Sequence, residues 1–391
     1  MAKTKFLPYG KQTVTKDDIN EVAKVLESDW LTRGPKVEEF EQALAEYCGA
    51  KYAVAFPNGT LALIGACHAA QMGQYDRLIT TPNTFVATVG AGMVYQSTPV
   101  FVDIDLDTGN LNLEQVKYTL NDQTSRGKDV IIPVHFAGIP VDMRSLERMI
   151  KNPETVVIED AAHALGSEYL DGSKVGSCEY SDMTIFSFHP VKNITSGEGG
   201  MITTNNKEMW HRLKRFRNNG IERDQQFLEG TSSPWYYEVQ EITGNYNFTD
   251  IQAALGLSQL RRIDKIVKQR RKLVAAYRES LKGNSEIRLF TDKFDPITAF
   301  HLFVVQIDFE SFNTTRTEVM TKLMNDGIGS QLHYIPVYRH PFFTHKNGDI
   351  SEYFPNMEKY FCQALSLPLY YDMEEKDVKR VVKTLKKILY P

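Results

Sequence analysis

The sequence is poor in the features that mark several protein classes. Only four cysteines occur in 391 residues, Cys48, Cys67, Cys178 and Cys362, and no two stand in a C-x-x-C pair. That spacing offers neither a disulfide framework nor a zinc site, so free thiols in a reducing compartment and no bound metal are expected. No apolar run approaches the roughly 18–20 residues needed to span a bilayer. The opening Met1-Ala2-Lys3-Thr4-Lys5-Phe6-Leu7-Pro8 has no apolar stretch behind its lysines, which argues against a secretory signal and for a cytoplasmic protein. A net charge of −4 supplies no basic field to attract nucleic acid or a membrane surface. Arg261-Arg262 and the run Lys268–Lys272 read as a solvated helix face. Internal repeats and low-complexity segments are absent.

What is there suits a large α/β protein. Hydrophobic residues make up 42% of the chain, and its length is enough for two domains. Val37, Phe40, Leu44 and Tyr47 recur at helical spacing. Short β-branched or aromatic runs follow at residues 77–80, 100–102, 130–134, 155–158, 184–188 and 201–204. Such runs suit strands buried on both faces. Amphipathic stretches, among them 113–120 and 143–150, lie between several of them, and the alternation predicts a mainly parallel sheet within helical layers. A helical pattern then runs from Thr249 to Leu281. It is followed by a strand at 299–308, a helix near 315–324, a strand at 328–333 and terminal helices from about Ser351. The expected division is a large domain at 1–248 and a smaller C-terminal α/β domain at 249–391.

Three segments carry chemistry. In Ser187-Phe188-His189-Pro190-Val191-Lys192, a lysine follows a buried strand and precedes the glycines of Ser196-Gly197-Glu198-Gly199-Gly200. Most lysines are solvated cations, but burial here would favour the neutral amine that attacks an aldehyde. In Val156-Val157-Ile158-Glu159-Asp160-Ala161-Ala162-His163, an acid stands at the C-terminal end of a strand, where an open α/β sheet places its ligand crevice. Asp160 there could keep a pyridine nitrogen protonated; the plainer reading is a helix cap. For His163 alone, a structural role is the plainer reading. In Asn58-Gly59-Thr60, a helix start could offer free N–H groups to a phosphate, or simply be a turn with Thr60 as the cap.

The order of these segments, together with Leu31-Thr32-Arg33-Gly34-Pro35, Thr81-Pro82-Asn83-Thr84-Phe85-Val86-Ala87-Thr88 and Asn245-Tyr246-Asn247-Phe248-Thr249-Asp250, resembles the DegT-type sugar aminotransferases over nearly the whole chain. These are fold-type-I enzymes that depend on pyridoxal 5′-phosphate (PLP). The resemblance implies a large three-layer domain with a mainly parallel sheet and a smaller C-terminal domain. It implies Lys192 as the Schiff-base lysine and proton shuttle, and Asp160 on the pyridinium nitrogen. Gly59, Thr60 and Ser187 would hold the phosphate, Phe85 would stack on the ring, and His163 would bond the ring oxygen. Asn245 would reach the phosphate of a second subunit in a homodimer with shared sites. Thr32, Arg33, His189, His333 and Tyr334 are the candidate substrate contacts. Departures from the family pattern are His163 for a frequent glutamine, Asn247 for an arginine and Gly244 for an aromatic.

Within the family, Ser187–Lys192, Ala254–Leu260 and Gly327–Pro336 resemble the aminotransferases of the pseudaminic acid pathway. These aminate C4 of a UDP-linked 4-keto-6-deoxy-N-acetylhexosamine with L-glutamate as donor. The alternatives are another nucleotide-linked keto-sugar, a PLP-dependent sugar dehydratase and a non-catalytic regulator. Lys192 argues against the dehydratase, which carries histidine at that place. A regulator would have no use for the full cofactor set.

Overall fold

The computed structural model describes residues 5–122, 126–231 and 233–390, so Met1–Thr4 of the N-terminal segment considered above lie outside the described residues. A seven-stranded sheet is built from β1 (Tyr52–Phe56), β2 (Arg77–Thr80), β3 (Thr98–Phe101), β4 (Asp129–Ile132), β5 (Val156–Asp160), β6 (Met183–Ser187) and β7 (Gly200–Thr204), in the order β1-β7-β6-β5-β4-β2-β3. Only β7 runs against the others, pairing antiparallel with β1 and β6; the remaining neighbours are parallel.

Successive residues of a strand point to opposite faces, so continuous apolar strands supply two cores. Ile79, Ile131, Val157 and Phe186 join one core with the helices Pro35–Cys48 and Asp250–Leu260. Leu78, Val130, Ile158 and Ile185 join the other with the helices Gly59–Ala69 and Lys207–Arg217. The result is a three-layer α/β/α unit. Cys48, Cys67 and Cys178 are buried free thiols and Cys362 is an exposed one.

A short ladder of β8 (Ile221–Glu222) and β9 (Glu238–Val239) lies beyond the sheet. A further three-stranded antiparallel sheet joins β10 (Ile287–Leu289), β11 (Phe303–Ile307) and β12 (Ala364–Leu367). It packs against the helices Arg316–Asn325 and Glu375–Leu389. The N-terminal Leu7 is buried in the same core.

Four expectations need correction. Arg270, in the run read as a solvated helix face, is buried at 1% exposure. The helical pattern 249–281 is two helices, Asp250–Leu260 and Ile263–Leu281. At the break Arg262 takes φ −121° and ψ 13°, and its guanidinium bonds Thr13 O and the buried Asp18 carboxylate. The longer helix then links the cores: Ile266 and Val267 belong to the first, Leu273, Val274 and Tyr277 to the second. The stretch 328–333 is not a strand. Its backbone bonds Leu7 around Gly329 and Ser366 at Gln331, so it changes partner before a ladder can form. Finally, β12 interrupts the terminal helices.

Candidate active site

The carboxyl ends of β2, β4, β5 and β6 open on one edge of the sheet, where an open α/β fold forms its crevice. A cleft of about 480 Å³ lies there, lined from the first unit by Gly59, Thr60, Phe85, Asp160, His163, Ser187, His189 and Lys192, and from the second by His301, His333 and Tyr334.

Lys192 sits in the excursion 188–199 between β6 and β7. Antiparallel pairing of Ser187 with Gly200 closes its base, and Phe188 N–H donates to Gly199 O at 2.8 Å. Phe188 is buried against Phe40, and Asn193 Nδ2 donates to Leu165 O at 3.0 Å. The loop is therefore anchored on both sides of the lysine. Burial pushes the Lys192 ammonium down to about 8 against the opposing pull of Asp160, so an appreciable fraction is neutral amine near neutrality.

Asp160 ends β5 and is only 5% exposed. Its Oδ2 accepts from Thr88 Oγ1 at 2.6 Å, and Thr88 in turn shares a 2.7 Å hydrogen bond with Thr84 Oγ1. Its Oδ1 accepts from Ala162 N–H at 3.1 Å within a turn; no helix follows β5, so the helix-cap reading does not hold. The hydroxyl pair fixes the carboxylate plane.

At the other end, Asn58 rather than Thr60 caps the helix Gly59–Ala69, accepting from Leu61 N–H at 2.9 Å. This leaves the Gly59 and Thr60 N–H groups at the positive end of an eleven-residue helix without an intrahelical partner. Gly59 faces Ser187 closely: a Cβ there would lie 3.0 Å from Ser187 Cβ and 3.2 Å from its Oγ. Gly200 is confined further, since a Cβ would come within 2.5 Å of Asn58 O. Both glycines keep a small, N–H-rich cradle open.

Phe85, at the mouth, is 59% exposed. His163 is buried; its Nε2 lies 3.0 Å from Tyr334 Oη and its Nδ1 has no partner. Burial first, then Lys192 and His333, hold it well below the usual histidine range, so the ring is neutral. His333 is held to about 3 by burial and Lys192, with Nδ1 2.8 Å from Ser366 Oγ on β12.

The structure thus gathers ten of the candidate residues in one cleft, and not Thr32, Arg33 and Asn245. Thr32 bridges to Thr249. Arg33, in a left-handed conformation at φ 57°, lines another cavity with Arg215, Arg217 and Asn247. Asn245 bridges to Asn218 and accepts from Asn247 Nδ2 at 2.7 Å. Sequence reasoning missed Tyr9, Thr84, Thr88 and His301 in the cleft. Thr84 and Thr88 stand in the quoted stretch 81–88, but nothing local marks Thr88 as the partner of Asp160 or Thr84 as the partner of Thr88.

These residues fit a phosphorylated pyridine aldehyde. The helix start with Ser187 suits a phosphate, exposed Phe85 a flat ring, Asp160 a protonated ring nitrogen, the orphan His163 Nδ1 a ring oxygen, and Lys192 the aldehyde. Among the described residues no group of three or more His, Cys, Asp or Glu could hold a metal ion, and no helix is long and apolar enough to cross a membrane.

Comparison with known proteins agrees. Residues 12–386 match the DegT/DnrJ/EryC1/StrS aminotransferase family. The chain is similar to the spore coat polysaccharide biosynthesis protein SpsC of Bacillus subtilis, at 36% identity over 98% of this chain and 97% of that one. Among solved structures it is similar to Helicobacter pylori PseC, an aminotransferase involved in the biosynthesis of pseudoaminic acid, with TM-score 0.88 and 28% identity over 98% and 99% of the two chains. It is likewise similar to the sugar aminotransferase Spr1654 of Streptococcus pneumoniae, described as putative and solved in PLP and PMP forms. For the PLP form the TM-score is 0.87, with 27% identity over 98% of each chain.

Proposed function

The chain belongs to the DegT/DnrJ/EryC1/StrS aminotransferase family and is a PLP-dependent sugar aminotransferase, and we propose that it moves the amino group of L-glutamate to C4 of a UDP-linked 4-keto-6-deoxy-N-acetylhexosamine. The product would be a UDP-4-amino-4,6-dideoxy sugar of the kind that leads to pseudaminic acid. The observation that carries the substrate assignment is the end-to-end similarity to PseC, supported by the motifs Ser187–Lys192 and Gly327–Pro336.

When bound, PLP supplies an aldehyde that condenses with amines and a protonated ring that draws electrons from the adjacent carbon. In this reading Lys192 Nζ, partly neutral near its value of about 8, takes and returns the proton at the reacting carbon. Asp160, oriented by Thr88, holds the proton on the ring nitrogen. The Gly59 and Thr60 N–H groups with the Ser187 hydroxyl hold the phosphate, Phe85 covers the ring, and neutral His163 donates to its oxygen. His189, His333 and Tyr334 contact the sugar. Asn245, Thr32 and Arg33 lie outside this chain's own cleft and would act across the contact of a homodimer.

An amine-transfer assay over a panel of nucleotide-linked keto-sugars tests the assignment. The highest kcat/KM is expected with glutamate and the UDP-linked 4-keto-6-deoxy-N-acetylhexosamine. Faster transfer to another keto-sugar would replace the substrate but keep the reaction class. Loss of water from the sugar without amine transfer would replace the class itself.

A further inference from the structure

His301 stands in the cleft without an assigned role. It belongs to the segment that leads into β11, is buried, and packs on His163 with ring centroids 4.4 Å apart. Its Nδ1, like that of His163, has no hydrogen-bond partner among the described residues. A buried polar nitrogen without a partner is costly unless a ligand meets it.

The surrounding structure holds this imidazole firmly. His301 N–H donates to Ala137 O at 2.9 Å. Gly138 lets the backbones close in, since a Cβ there would lie 2.9 Å from His163 O and 3.0 Å from Phe300 N. Arg270, on the helix that links the two cores, donates through one nitrogen to Phe300 O at 3.1 Å, Leu369 O at 3.1 Å and His301 O at 3.4 Å. Arg270 is 1% exposed, and among the described residues its guanidinium donates only to carbonyls and is paired with no carboxylate, so a positive charge is buried behind His301. Lys192 adds a second cation to this side, while Asp160 is the acid at the ring-nitrogen position. Burial, Lys192, His163, Arg270 and His333 all oppose protonation of His301, in that order. The ring is therefore a neutral donor in a region of positive potential, which is the environment an anionic oxygen prefers.

We propose that His301 is a further binding residue of the site, its Nδ1–H donating alongside that of His163 to the anionic ring oxygen of PLP. This rests on the cofactor reading above. The donation leaves the other imidazole nitrogen as the unprotonated one, and no charge is added to the cleft.

Three variants separate the hydrogen bond from packing: His301→Asn, whose amide nitrogen can stand near the Nδ1 position, and His301→Phe and His301→Leu, which fill volume without a donor. Each apoprotein, checked for fold by circular dichroism, is titrated with PLP alone by fluorescence quenching. The pH midpoint of the visible cofactor band is then recorded. A lost hydrogen bond to a charged acceptor corresponds to about a tenfold or larger rise in the PLP Kd. That rise is expected for His301→Phe and His301→Leu, with a shifted midpoint, while His301→Asn stays within about threefold of the parent. Parent-like binding and midpoint in His301→Phe would overturn the proposal, as would a His301→Asn as impaired as His301→Phe. Altered KM for the sugar with unchanged PLP binding would also overturn it, assigning the nitrogen to the sugar. Failure of the parent itself to take up PLP would refute the cofactor reading instead.

Discussion

Thr88→Val should damage the site out of proportion to the single oxygen it removes. Thr88 is 1% exposed, and its hydroxyl stands between Thr84 Oγ1 at 2.7 Å and Asp160 Oδ2 at 2.6 Å. Valine keeps the shape and deletes both bonds. Asp160 is left with the Ala162 N–H at 3.1 Å, and its carboxylate is free to turn away from the ring nitrogen. A hydrogen bond to a charged group contributes about 1.5–3 kcal/mol, which converts to a factor of about 10–150 in an equilibrium or rate constant. Buried Thr84, 3% exposed, also loses a partner, which adds about 1–3 kcal/mol of destabilisation to the apoprotein. Thr88→Ser keeps the hydroxyl and is the control. Equilibrium PLP binding, single-turnover amine transfer and urea unfolding are measured on the parent and both variants. Thr88→Val is expected to bind PLP at least about tenfold more weakly or react at least about tenfold more slowly, with Thr88→Ser within about threefold. Parent-like binding and rate in Thr88→Val would refute the reasoning that this hydroxyl orients Asp160.

Other consequences follow from the same geometry. Gly200→Ala would place a Cβ 2.5 Å from Asn58 O and displace the start of the phosphate helix, so isothermal titration should show a PLP Kd raised about tenfold or more; an unchanged Kd would separate this helix from the phosphate. The rate of covalent PLP uptake by apoprotein should rise with pH through about 8, because the neutral amine is the reacting form and its fraction grows above that value; a flat stopped-flow profile from pH 7 to 9 would contradict the assignment of Lys192 as the reacting amine. Mixed dimers of Lys192→Ala and Asn245→Asp subunits, each inactive alone, should regain activity in about half of the heterodimer's sites. Absence of rescue after verified subunit exchange would count against a shared site.

Much of this site was legible because its parts fall at the ends of buried strands. The runs 155–158 and 184–188 are short, β-branched or aromatic, and each gives way to reactive side chains, so Asp160 and Lys192 could be placed on one edge of a sheet before any contact was known. The helix start at Gly59 was legible from the Asn58-Gly59-Thr60 turn itself, though the cap fell to Asn58 and the strand before it, β1, was not foreseen. Residues whose role depends on distant contacts were not. Thr88 meets Asp160 across 72 positions. His301 meets His163 only because Arg270 and Gly138 bring the second unit onto the first. The strand β12 was hidden because Ala364–Leu367 directly follows the helix Pro355–Gln363, and a short apolar run does not distinguish strand from helix. The break at Arg262 depends on Asp18 at the far end of the chain. The sugar was the least legible, since the candidate contacts His189, His333 and Tyr334 are polar rings that suit many hydroxylated ligands.

Whether Lys192 holds PLP and carries the amine exchange is decided by peptide mapping after borohydride reduction of the holoenzyme. One pyridoxyl-modified peptide, containing Lys192, is expected, with the modification lost when glutamate is added before reduction. Modification of a different lysine, or none in a protein that has taken up PLP, would contradict that role of Lys192.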